Sequence, residues 1–253
     1  MPKNPLLFRA AHRAMVMVHR AGFDVTRETF KRHFVRALRD HDIDAVIDIG
    51  ANTGQFGEAL RRAGFTGRIV SFEPLAAAHA ALAATAAGDP AWTVERAGVA
   101  AEAGTITMNV AANSVSSSAL PMLDRHTAAA PQSAYVATEE APATTVDELV
   151  VRHDLTPERT LLKIDVQGYE MPVLAGAAAT LPRFAAVRTE MSLVPLYEGQ
   201  ALFADILAHL TAAGLDLWML ERGFVEPGTG RLLQTDGVFF RRPTDQGSSD
   251  GHQ

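Results

Sequence analysis

The chain has 253 residues, 47% of them hydrophobic and 21% charged, enough for one globular domain with a sizeable core. A formal net charge of −6 argues against an extensive nucleic-acid footprint, so no nucleic-acid partner is expected. The absence of cysteine removes disulfides, thiolate metal sites and cysteine nucleophiles, and fits a cytoplasmic location.

Charge is uneven along the chain. Residues 1–40 carry nine Lys/Arg against three Asp/Glu. This basic segment, bounded at 1–42, predicts a helix whose face Phe30, Phe34, Val35 and Leu38 is apolar and whose other face holds Lys31, Arg32, Arg36 and Arg39. Such a helix could dock on the domain or make a peripheral contact with an anionic membrane. Arg9, His12 and Arg13 interrupt the apolar residues too soon for a signal peptide.

DAVIDIG (44–50) has the form of a strand buried on both faces. From Thr53, Phe56, Ala59, Leu60 and Ala63 follow helical spacing, and Gly64 is a stop signal. GRIVSFE (67–73) predicts a second strand, an Ala-rich helix follows Pro74, and WTVERAGVA (92–100) predicts a third strand with its exit loop. The alternation then lapses. TITMNV (105–110) and YVATEEAP (135–142) read as strands around a Ser-rich loop and a short helix near 121–128, so 101–142 is taken as an insertion and a candidate substrate lid. Regular order resumes with a helix near 145–152, a strand at 160–166, a helix at 169–178, a strand at 184–190, a helix at 200–213 and strands at 215–220 and 236–241. The polar tail 243–253 is expected to be disordered. Strand–helix units in this order predict an α/β, Rossmann-like doubly wound sheet over 43–242, with helices on both faces. Ligands of such sheets bind beyond the carboxyl ends of the strands, beside the first one.

The loop at that place is GANTG (50–54). Gly50 and Gly54 leave room for a ligand near the backbone, and Asn52 and Thr53 lead into a helix whose free N–H groups point outward. The G-x-G-x-x-G spacing that seats a pyrophosphate is missing, which disfavours a nicotinamide dehydrogenase. Glu73 ends the second strand, 23 positions after Gly50, where a carboxylate can accept both ribose hydroxyls of an adenosine. With Asp48 it makes the pocket acidic, which suits the cationic S-adenosylmethionine (SAM) better than a pyrophosphate. Gly98 and Val99, in the exit loop of the third strand, and Asn113 in the Ser-rich loop complete the candidate cofactor set.

DIGANTGQF, SFEP, NSVSSSALPML, LLKIDVQGYE, EMSLVPLYEGQ and QTDGVFF together resemble the FkbM-type SAM-dependent methyltransferases over about residues 42–242. The resemblance implies a class I methyltransferase fold, a seven-stranded, mostly parallel sheet with an antiparallel last strand. It also implies O-methylation of hydroxyls on sugars, glycolipids or related metabolites, with S-adenosylhomocysteine (SAH) as product. Many members carry Glu where this chain has Gln167.

Methyl transfer to an alcohol requires removal of the hydroxyl proton, a task for a general base. Asp165 and Glu190 fall near the carboxyl ends of two strands on the cofactor side, and Asp165 could also touch SAM. Either could take the proton, or both could hold a divalent cation, although two carboxylates alone do not make a metal site. His126, in the insertion, is the third candidate base because imidazole titrates near neutral pH. Without such a base the chain would be a SAM- or nucleoside-binding module only. Tyr197, Glu198 and Gln200 either touch substrate or shape a helix entry, and Lys163 is expected to pair with a neighbouring carboxylate.

Overall fold

A computed structural model of the protein describes residues 30–243. Most of the basic N-terminal segment and all but the first residue of the expected disordered tail lie outside the described residues. In chain order the elements are α1 (Phe30–Asp40), β1 (Ala45–Ile49), α2 (Gln55–Arg62), β2 (Arg68–Phe72), α3 (Ala76–Ala86) and β3 (Trp92–Glu95). They continue with β4 (Gly98–Val99), β5 (Gly104–Ala111), α4 (Asp124–Ala129), β6 (Tyr135–Thr144), α5 (Val146–Arg152), β7 (Thr160–Ile164) and α6 (Glu170–Ala175). The last four are β8 (Ala186–Ser192), α7 (Phe203–Ala212), β9 (Leu215–Arg222) and β10 (Gln234–Arg241).

Seven strands form one sheet in the order β3-β2-β1-β7-β8-β10-β9. Pairing is parallel from β3 to β8, and β10 runs antiparallel to both of its neighbours. This is the expected fold class. The period-two alternation of strand side chains divides the core in two. Ile47, Ile49, Leu162 and Val187 pack with Leu149, Leu174 and Leu210 of α5, α6 and α7. Val46, Leu161 and Val238 pack on the other face with Phe34, Leu38, Leu60 and Leu82 of α1, α2 and α3. The sheet therefore has helices on both sides.

Two expectations change, and one of two alternatives is selected. The run 92–100 is not one strand: β3 stays in the main sheet, whereas β4 pairs with β6 in a separate three-stranded sheet of order β4-β6-β5. Arg96 lies at the break and is held by Glu139 (2.7 Å) and the Pro74 carbonyl (3.2 Å). The insertion is thus built around its own antiparallel pair, β5 with β6. The second helix begins at Gln55, not Thr53, because Asn52 (φ 47°) and Gly54 (φ 95°) are left-handed and cannot continue a helix. Finally, Phe34, Val35 and Leu38 are buried in the core, so α1 docks on the domain, the first of the two readings of this segment. Among the described residues no helix is long and apolar enough to cross a membrane.

Candidate active site

The β1–α2 turn is pinned from several sides. Gly50 has φ 72°, and a Cβ there would fall 1.8 Å from the Asp165 carbonyl oxygen, so only glycine fits. The Asn52 N–H donates to Glu73 Oε2 and the Leu75 N–H to Glu73 Oε1, each at 2.9 Å. The Glu73 carboxylate thereby ties the turn to the end of β2. Burial raises its pKa, opposed by these two N–H donors and by Lys163. Each carboxylate oxygen has more than one acceptor site, so capacity remains for hydroxyls of a ligand.

Asp48 has a different place. It is fully buried, accepts from Ser71 Oγ (3.1 Å) and pairs with Lys163 Nζ (2.9 Å). Lys163 also donates to the carbonyls of Gly50 (2.9 Å) and Ile49 (3.3 Å), and lies 3.7 Å from Asp165. Burial alone would lower the Lys163 pKa, but Asp48 and Asp165 outweigh it and the net shift is upward. Asp48 therefore acts on the site through Lys163. Neither it nor Thr53 nor Gly54 lines the cavity beyond the strand ends.

That cavity measures ≈ 680 Å³, within the range of about 300–1,000 Å³ usual for small-molecule pockets. Over β1, β2 and β4 it is lined by Gly50, Asn52, Glu73, Leu75, Gly98 and Val99, with Asn113 from the Ser-rich loop. Over β7, β8 and β10 it is lined by Asp165, Glu190, Arg188 and Asp236, with Phe34, Phe56, Phe224 and His126 around them.

Asp165 and Glu190 are joined by one side chain. Gln167 Nε2 donates to Asp165 Oδ1 (3.1 Å) and to Glu190 Oε2 (3.0 Å), while its Oε1 accepts from the Tyr197 hydroxyl (2.9 Å). Gln234 Nε2 adds a second donor to Glu190 Oε2 at 2.7 Å. Burial, followed by the charges of Asp165, Glu170 and Asp236, holds the Glu190 carboxyl well above the usual range. Arg188 does not neutralise it. That guanidinium pairs with Glu221 (2.8 Å) and Asp236 (3.3 Å), and the rings of Phe30, Phe34 and Phe56 lie 5.3–5.7 Å from it.

The loop carrying Gln167 is held by Glu170, which accepts from the N–H groups of Val166 (3.3 Å) and Gly168 (3.1 Å). Burial lifts the Glu170 pKa to about 7. The serines of 116–118 are buried. Ser118 Oγ donates to the Gln167 carbonyl (2.6 Å), and Asn52 Nδ2 donates to Ser114 Oγ (3.3 Å). The Ser-rich loop thus bridges the β1–α2 turn and the 165–168 loop and forms a wall of the cavity.

His126, on α4, is 3% exposed, with its ring 5.2 Å from Tyr197 and 5.3 Å from Phe224. Its Nδ1 has no hydrogen-bond partner, and burial lowers its pKa, so the ring is neutral near pH 7. Tyr197 is fully buried, and Gln200 Oε1 accepts from the N–H groups of Leu196 and Tyr197, so both shape the loop after β8. Sequence reasoning missed Gln234 and Asp236. The signal was present, since both are polar alternate positions just ahead of the apolar run Val238–Phe240 of β10 and lie opposite Ser192 and Glu190.

A family model for the methyltransferase FkbM domain matches residues 48–224. The chain belongs to the FkbM methyltransferase family. Several solved structures are similar to this FkbM methyltransferase at low identity. A TehB-like SAM-dependent methyltransferase from Corynebacterium glutamicum is 13% identical, with 94% of this chain and 100% of that one covered and a TM-score of 0.38. Magnesium protoporphyrin IX methyltransferase from Synechocystis, with bound SAM, is 11% identical, with 87% of each chain covered and a TM-score of 0.45. An rRNA methylase from Streptococcus thermophilus is 10% identical, covering 87% of this chain and 99% of that one, with a TM-score of 0.46. No curated protein matches the chain.

Family membership makes SAM the cofactor of this FkbM methyltransferase and sets aside the nicotinamide dehydrogenase. The donor set fits that ligand. Glu73 faces the cavity with acceptor capacity for hydroxyls, Leu75, Val99 and Met108 supply apolar wall for a base, and the carboxylates suit a sulfonium. Among the described residues no group of three or more His, Cys, Asp or Glu gathers as a metal site.

Proposed function

We propose that this FkbM methyltransferase methylates a hydroxyl of a sugar, glycolipid or related secondary metabolite. One observation carries the reading: two carboxylates, Asp165 and Glu190, share a donor and face the same cavity as Glu73. When bound, SAM supplies an electrophilic methyl group. The chain must then orient an acceptor hydroxyl and remove its proton.

Glu190 is the base. Its raised proton affinity brings it closer to the alcohol it must deprotonate, and general bases of this kind contribute roughly 10²–10⁴-fold. Asp165, more open to the cavity, holds the acceptor hydroxyl. The unpartnered Nδ1 of His126 is available to a second hydroxyl of a polyol. Phe34, Phe56 and Phe224 offer apolar surface to the faces of a sugar ring.

Mass spectrometry of hydroxylated metabolites from cells with and without the gene should reveal an acceptor that gains one methylene. With that acceptor, Glu190→Gln and Asp165→Asn should each lower kcat by roughly 10²-fold or more while SAH affinity is kept. The wild-type rate should rise with pH as Glu190 loses its proton. Full activity in both variants would refute the assignment, and products methylated on nitrogen or carbon would refute O-methylation.

A further inference from the structure

Gln167 uses both ends of its side-chain amide, with Nε2 on Asp165 and Glu190 and Oε1 on Tyr197. Its backbone is left-handed (φ 55°), a conformation that a non-glycine residue adopts only when its surroundings impose it. Those surroundings are on all sides. Ser118 Oγ holds its carbonyl, Glu170 holds the N–H groups on either side, and a Cβ at Gly168 would strike Tyr197 Cδ2 at 2.9 Å. The amide orientation is also fixed by chemistry. Its oxygen meets a hydroxyl donor, and its NH₂ meets two carboxylates; the flipped amide would set oxygen against both acids.

The NH₂ group therefore occupies the point between Asp165 and Glu190 where two neighbouring carboxylates would otherwise need a shared proton or a cation. We propose that Gln167 is the positioning residue of the catalytic base, its amide taking the place of a divalent cation, so that this chain uses Asp165 and Glu190 without a metal. The inference rests on reading this cavity as the methyl-transfer site. Its corollary is specific: Gln167→Glu removes the NH₂ donor, adds a third carboxylate at the same point, and turns the pocket into a divalent-cation site.

Mn²⁺ alone, followed by electron paramagnetic resonance, is the probe, and SAH calorimetry reports whether the cofactor half is intact. Gln167→Glu should bind Mn²⁺ at least roughly tenfold more tightly than wild type. The double variant Gln167→Glu/Glu190→Gln should lose that gain, with SAH affinity similar throughout. With the acceptor in hand, a chelator should leave the wild-type rate unchanged. Equal Mn²⁺ affinity in wild type and Gln167→Glu, or loss of wild-type methylation in chelator, would overturn the proposal.

If Gln167→Glu fails to fold, Gln167→Met carries the test, since it keeps the volume and removes both amide atoms. Loss of a donor to Glu190 should move the acid limb of the rate profile to higher pH and lower kcat roughly tenfold. An unchanged profile would sink the idea. Failure to find any O-methylated product would instead refute the proposed reaction and leave the Mn²⁺ result standing.

Discussion

Glu73 holds two backbone N–H groups and still faces the cavity, so it clamps the β1–α2 turn, and we propose that it also contacts ligand hydroxyls. Glu73→Ala should therefore weaken SAH binding at least roughly tenfold by calorimetry, and Glu73→Gln should fall between the two. Glu170 makes a prediction about pH. Its folded pKa, about 7, lies above its ordinary value of 4.5. Such a group contributes stability that is complete below about pH 4.5 and is lost as pH rises through about 7. Glu170→Gln keeps an oxygen for the two N–H donors and removes the titration. Its melting temperature should fall less than that of wild type between about pH 5 and about pH 8; parallel curves would contradict this. At this scale the sequence revealed Glu73 through its position at the end of a strand. It did not reveal Gln167, whose partners Asp165, Glu190 and Tyr197 meet it only once separate strands and loops have assembled.

The elements most legible in sequence were those whose periodicity is uniform. The five residues of β1 are all buried, and its apolar run with terminal glycine read as a central strand. The break between β3 and β4 was not legible, because WTVERAGVA keeps strand-like residues across it and the turn depends on distant Glu139 and Pro74. The same applies to the Ser-rich loop. Small polar residues predict exposure, yet Ser118 is fully buried because the 165–168 loop supplies its partner. The turn after β1 is tightly constrained, because Gly50 packs against the Asp165 carbonyl. Gly50→Ala should destabilise the fold by at least ~2 kcal/mol, since a Cβ at φ 72° must displace the Asp165 carbonyl. Denaturant titration checks this; a loss below ~0.5 kcal/mol would show that the turn can relax.

For the whole molecule, the two core layers meet through β1 and β7, and α1 belongs to one of them as fully as α2 does. Leu38 is fully buried there, and Leu38→Ala should cost about 2–5 kcal/mol in a chemical denaturation experiment. Phe34→Ala should cost a similar amount and, in addition, loosen Arg188 from its aromatic surroundings.

The placement of α1 and β10 bears on how this protein can be recombined. The family match spans 48–224, yet Phe34 on one side of it and Gln234 and Asp236 on the other line the cavity beyond the strand ends. A fragment trimmed to the matched span would lack a sheet strand between β8 and β9 as well as part of the wall of that cavity. Chimeras meant to exchange acceptor preference should therefore graft α1 and β10 together with the 165–200 region, since a swap confined to the shared span would leave mismatched halves around the cavity.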